Sequence, residues 1–216
     1  MTRKTWRQLT VWLHVLTAVG WMTQALALLS LLALALADPV QRPAAMAMAA
    51  RLDWTVLAQL ANIAAFTGLM LSAATPWGFV KHWWVAVKFA ITLPLLNICA
   101  VVLAPLIRDG QAPGLLAATA VVLAVALGYQ TWLSVAKPWG RTRWYSMQET
   151  APAWVFAATI VVAFADMAIG YAVSFPTPTI SLLFLLGYVA YAAIQRRSTA
   201  RVNPLATSST TWRAAR

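Results

Sequence analysis

Six stretches of this chain are apolar for longer than a soluble domain tolerates, and each is closed by a residue that stops or turns a helix. They run from about Leu9 to Ala37, Trp54 to Ala74, Trp83 to Ile107, Leu115 to Ala136, Pro152 to Ala172, and Ile180 to Ile194. A helix needs about 20 apolar residues to cross a bilayer, and inside a bilayer only helices and closed barrels satisfy every backbone polar group. Runs of these lengths read as spanning helices. Composition agrees: 62% of the residues are hydrophobic and 10% are charged, against about 25% charged in soluble domains. The expected fold is all-α, a polytopic bundle over residues 1–195 followed by a basic tail, 196–216, that reads as disordered.

The N-terminus resembles a secretory signal, with Arg3, Lys4 and Arg7 ahead of an apolar run that reaches Ala35-Leu36-Ala37. A cleavable core is about 7–15 residues long. The run from Leu9 is roughly twice that, so it is expected to stay as a spanning helix. The alanine- and methionine-rich piece from Ala44 to Arg51 reads either as an interfacial helix or as an extension of the second span.

Lys and Arg favour the cytoplasmic side. With the N-terminus inside, thirteen of the sixteen basic residues fall inside; the other three, Arg42, Arg51 and Arg108, each lie near an aspartate. Five spans would send the tail arginines outside. Six spans, with both termini inside a bacterial inner membrane, is the expected topology. The net charge of +11 is then a matter of topology and anionic lipid rather than of nucleic acid. Lipid is the expected partner, with room for a homo-oligomer or a membrane partner.

One octapeptide occurs twice. Leu71-Ser72-Ala73-Ala74-Thr75-Pro76-Trp77-Gly78 returns as Leu133-Ser134-Val135-Ala136-Lys137-Pro138-Trp139-Gly140, identical at six of eight positions at an offset of 62. Pro ends a helix, Gly permits a turn, and Trp suits the interface. Both copies read as helix exits at the inner surface. They point either to parallel duplication of helix pairs or to convergent use of the same residues.

Span one carries a polar stripe: Thr10, His14, Thr17, Trp21 and Gln24 fall within about 80° of one another at 100° per residue. That side should face the bundle. His14 and His82 are the only histidines, and both belong to the inner surface. They are candidate ligands for haem or a transition metal, because neutral imidazole is the commonest protein metal ligand. The plainer alternative makes His14 an interhelical hydrogen-bonding group and His82 a loop residue. Lys88 either snorkels to the inner surface or meets a ligand phosphate or carboxylate. Trp77, Trp84 and Trp139 complete a cytoplasmic rim.

Asp166 is the only acid deep in a span, where ionisable groups are costly and face a partner or a cavity. Gln24, Asn62 and Asn97 fall at comparable depth, with Gln59 one turn outward from Asn62. Together they outline a polar chamber, or a hydrogen-bond network that only holds the helices together. Asp166 is expected to face the interior and to bond an amide or hydroxyl such as Gln24, Asn62 or Asn97. Met46 and Met48 would suit Cu(I), but among five alanines they read better as plain helix. Cys99, the single cysteine, cannot form an intramolecular disulfide. The chain lacks a Gly-rich phosphate loop, a nucleophile elbow, a His-Glu-x-x-His motif and carboxylate pairs at catalytic spacing. With five acids in all, the chain argues strongly against a metal-dependent prenyl or phosphoryl transferase, which needs carboxylates for magnesium, and the balance leans away from an enzyme.

The segment Thr67-Gly68-Leu69, with Thr75 through Lys88 (Thr75-Pro76-Trp77-Gly78-Phe79-Val80-Lys81-His82-Trp83-Trp84), resembles a family of small uncharacterised bacterial integral membrane proteins. So do Leu13-His14-Val15 with Val19-Gly20-Trp21, and Leu133 to Gly140. More distantly, the histidine followed by Gly-Trp is similar to copper-resistance D-type membrane proteins and the haem-pathway four-helix oxidases. That resemblance implies a metal- or haem-ligating role for His14; the further histidines and acids those redox proteins use are not visible here. The expected function is non-enzymatic binding, transport or an accessory role. The alternative is a haem- or copper-binding membrane redox protein using His14 and His82.

Overall fold

The computed structural model describes residues 1–145, 149–173 and 178–202, with side chains through 195. It is all-α: no strand occurs among the described residues. The helices are α1 (Arg3–Ala37), α2 (Arg42–Ala74), α3 (Trp83–Arg108), α4 (Pro113–Ala136), α5 (Ala153–Ala172) and α6 (Thr179–Val202). The first five are long and apolar enough to cross a membrane; the apolar part of α6, Thr179–Gln195, is shorter. Of the tail expected to be disordered, 196–216, residues 196–202 continue α6, and residues 203–216 lie outside the described residues. The link at 174–177 also lies outside them.

Local chemistry explains the helix ends. Thr2 caps α1, its hydroxyl accepting from the Thr5 amide at 3.2 Å. Asp38 organises the turn into α2, its carboxylate accepting from the Val40 amide at 2.8 Å and from Gln41 Nε2 at 2.9 Å. Those bonds, the Val40 amide first, hold its carboxyl below the usual value. Pro43 sits in the first turn of α2, where its missing N–H costs nothing.

The alanine-rich piece is an extension of span two, joined to it through a π-turn at Asp53–Leu57. The Thr55 carbonyl in that turn accepts the Tyr171 hydroxyl of α5, and Trp54 and Tyr171 pack with ring centroids 6.3 Å apart. A second π-turn, Cys99–Leu103, lies in α3 just before Pro105. Proline has no N–H for the carbonyl four residues back, so the preceding turn widens.

Helix α1 is the hub, packed against α2, α4 and α5, while α6 covers α5 and α2. Its buried face includes Thr10, Leu13, Thr17, Trp21, Ala25, Leu28 and Leu32, so the polar stripe turns inward. One apolar cluster joins Trp21, Leu28 and Leu32 to Leu57 and Leu123; a second joins Leu13, Phe66 and Met70 to Val155 and Phe156. Helix α3 stands apart. Its last turn, Ala104–Arg108, packs on Arg42–Leu52 of α2; between Trp83 and Ile98 it meets α4, touches α2 only lightly, and buries only Trp84 and Val85.

The two octapeptide copies end α2 and α4 at the same end of the bundle, and the segments after them are joined. The Thr142 amide donates to the Lys81 carbonyl at 2.9 Å, the Thr142 hydroxyl to the Val80 carbonyl at 2.5 Å, and His82 pairs antiparallel with Arg141. Their backbones differ. The first copy leaves α2 through an extended Thr75 and turns at Gly78, φ +61°. The second turns at Lys137, φ +45°, and Trp139, φ +58°.

Candidate functional site

Because α3 stands off from the hub, a cavity of about 340 Å³ opens among α1, α2, α3 and α4. That lies within the size range of small-ligand sites. Its wall is mostly Val, Leu, Ala and Phe, and the Trp77–Trp84 pair, edge to face at 5.8 Å, stands at one end.

Two polar contacts fasten α3 to α4 across the cavity. Lys88 Nζ donates to Ser134 Oγ at 2.7 Å. One turn along, the Thr92 hydroxyl donates to Gln130 Oε1 at 2.7 Å. Residues four apart lie on one face of a helix, so Lys88 with Thr92 meets Ser134 with Gln130 in antiparallel register. Lys88 therefore reaches sideways to α4 rather than up to the surface. The Ser134 hydroxyl donates in turn to the Gln130 backbone carbonyl at 3.0 Å.

Helix α1 contributes His14. Its Nδ1 lies 2.9 Å from the Ala64 carbonyl and 3.2 Å from Thr67 Oγ1. A carbonyl only accepts, so Nδ1 carries the proton and Nε2 is left for a ligand. The ring fits because Gly68 has no side chain: a Cβ there would stand 2.9 Å from His14 Cε1. Two turns further along α1 is Trp21. Among the described residues, Trp21 Nε1 and Gln130 Nε2 are buried donors without a hydrogen-bond partner, and both side chains line the cavity. Buried donors of this kind are uncommon and call for an explanation.

His82 has a different setting. Its Nδ1 donates to the Trp77 carbonyl at 2.9 Å, and its ring packs against Trp84 and Tyr145. It is not part of the cavity wall. Trp139 is exposed and also lies outside the wall. The basic rim is folded onto its own aromatics, Arg141 over Tyr145 at 4.1 Å and Arg143 over Trp144 at 4.5 Å. Among the described residues, no group of three His, Cys, Asp or Glu side chains could hold a metal ion.

The polar chamber expected around Asp166 is only partly assembled. Asp166, Gln59 and Asn62 meet at a crevice with Ser181. Its volume of about 10 Å³ is close to the least that one water needs. Asp166 faces inward, as expected, and it accepts from the Ile180 amide at 3.0 Å and the Ser181 amide at 2.6 Å. These bonds are to the first turn of α6, where helix amides have no partner of their own, rather than to the amide side chains expected. Gln24 and Asn97 do not line the crevice. Asn97 is exposed and returns its side-chain N–H to the Leu93 carbonyl at 2.8 Å.

Sequence reasoning missed Thr92 and Gln130. Their signal was present: Lys88 with Thr92, and Gln130 with Ser134, are polar pairs at four-residue spacing in otherwise apolar helices. No family model, no curated protein and no solved structure matches this chain.

Proposed function

We propose that this chain is a six-span protein of the bacterial inner membrane, with both termini cytoplasmic, acting as a non-enzymatic binding, transport or accessory component. The cavity among α1 to α4 is where it holds a ligand dissolved in the membrane. The observation that carries this reading is the pair of buried donors without acceptors, Trp21 Nε1 and Gln130 Nε2, at one mostly apolar cavity. Each is a donor left unsatisfied among the described residues. The distribution of basic residues supports the topology. The sixth span is short, and at 1.5 Å per residue a span of that kind relies on tilt or local thinning of the bilayer. The uncovered face of α3 is open to lipid, a second copy or a membrane partner.

The haem- or copper-binding reading rests on one observation: a ring nitrogen fixed by a backbone carbonyl leaves the other free to ligate, as in many metal sites. His14 has that arrangement, and it resembles the histidine of the copper-resistance D-type proteins. His82 lies outside the cavity wall, so the residues present offer one imidazole rather than two.

The test is mass spectrometry of small molecules extracted from the purified protein, wild type against Ala65→Phe. Ala65 lines the cavity and belongs to neither apolar cluster, so the larger side chain fills the space without rebuilding the core. A stoichiometric ligand present in the wild type and lost in the variant is the expected outcome. Equal lipid background in both would overturn the reading. A Soret band in the same preparation would select the haem alternative.

A further inference from the structure

We infer that the cavity's ligand is an anionic amphiphile, with a carboxylate or phosphate head held by Lys88 and an apolar chain along α3. This deepens the reading of the cavity as a ligand site and rests on it. Three observations carry it.

The first is charge. Lys88 and Lys137 both line the cavity, and among the described residues no carboxylate does. The chain has only five acids. Asp38, Asp53 and Asp109 belong to the opposite end, Glu149 to the segment before α5, and Asp166 to the separate crevice. An ammonium within a membrane-spanning helix is costly without an anionic partner. Lys88 donates to the Ser134 hydroxyl, which accepts one of its three N–H groups and offsets none of its charge.

The second is hydrogen-bond polarity. The buried groups at this wall that lack partners are both donors, Trp21 Nε1 and Gln130 Nε2, and Lys88 is a donor only. The Thr92 hydroxyl occupies Gln130 Oε1, and the amide N–H₂ has no partner among the described residues. A head with several acceptor oxygens matches a wall whose unsatisfied groups are donors. A cationic head would meet only like charge.

The third is the rest of the wall. Leu93 and Leu96 of α3 line the cavity beyond Thr92, and Val11, Val15 and Ala18 of α1 are also part of its wall. Such a surface suits a chain and gives a free inorganic anion nothing. The loose seating of the Trp83–Ile98 part of α3 against α1 and α2 provides a lateral way in from the bilayer.

The experiment uses the full-length protein in detergent micelles, with a fluorescent conjugated-polyene fatty acid and its methyl ester as probes. Tryptophan-to-probe energy transfer reads binding. The acid is expected to bind about tenfold or more tightly than the ester, since only the acid gains the charge-assisted contact. Lys88→Gln should bring the two within about threefold of each other, while Lys88→Arg keeps the preference. A single-chain lysophosphatidate should displace the acid, and inorganic phosphate should not. Whichever of fatty acid and lysophosphatidate binds more tightly identifies the natural head. Equal binding of acid and ester in the wild type would overturn the inference. If Ala65→Phe still abolished both, the cavity itself would stand. Displacement by inorganic phosphate would overturn the amphiphile. Absence of any saturable binding would overturn both the inference and the ligand-cavity reading.

Discussion

Asp166 of α5 receives the amide proton of Ser181 at 2.6 Å, and so an acid within one helix caps the start of the next. With the Ile180 amide on its other oxygen, the carboxylate serves two of the donors that a helix start leaves without partners. It also places negative charge where the α6 dipole is positive.

Asp166→Ala should therefore destabilise the protein by about 2 kcal/mol, since buried amides would lose their acceptor. Asp166→Asn keeps one acceptor oxygen and should cost about half as much. Thermal unfolding in detergent measures both. An Ala variant as stable as the wild type would show that the cap contributes nothing.

The two glycines of the repeated octapeptide should respond differently. Gly78 has φ +61°, and a Cβ there would lie 2.6 Å from Lys81 Cγ and Cδ; Gly140 has nothing within 4 Å of a Cβ. Gly78→Ala should cost about 1–2 kcal/mol, and Gly140→Ala should be near neutral. Equal effects in a melting experiment would mean that both copies share one turn, contrary to the structure.

Gly68 and His14 should be coupled. Gly68→Ala would drive a methyl into the imidazole and should cost about 1–3 kcal/mol. In a His14→Ala background that clash is gone, so most of the added cost should vanish. A double-mutant cycle on melting temperature reads the coupling. Simple additivity would contradict the contact.

The topology has a direct assay. In a Cys99→Ala background, Val40→Cys lies in the exposed α1–α2 turn and Trp139→Cys in the exposed rim. An impermeant thiol reagent should label position 40 in intact cells and position 139 only after the membrane is opened. The reverse pattern would invert the molecule.

Much of this was legible from residues, and the physical reasons mark where legibility stopped. In lipid the apolar side of a helix faces out, so the stripe of Thr10, Thr17 and Trp21 announced its own burial at 0%, 4% and 2% exposure. The continuous α2 was not decidable, because its π-turn is matched to Tyr171, more than a hundred residues away. Asp166 was read as interior, but its partners are backbone amides, which a search for polar side chains passes over. Lys88 was singled out, yet its direction depends on which face of α3 meets α4, and periodicity within one helix does not fix that.

The central claim is that the space under α3 holds a ligand. Photolabelling reads it most directly, with a fatty acid bearing a diazirine in its chain and the labelled residues mapped by mass spectrometry. The account predicts label concentrated on cavity residues such as Val15, Leu93 and Leu96, and its loss in Ala65→Phe. Label spread evenly over outward residues such as Val161 and Leu183, unchanged by Ala65→Phe, would contradict it.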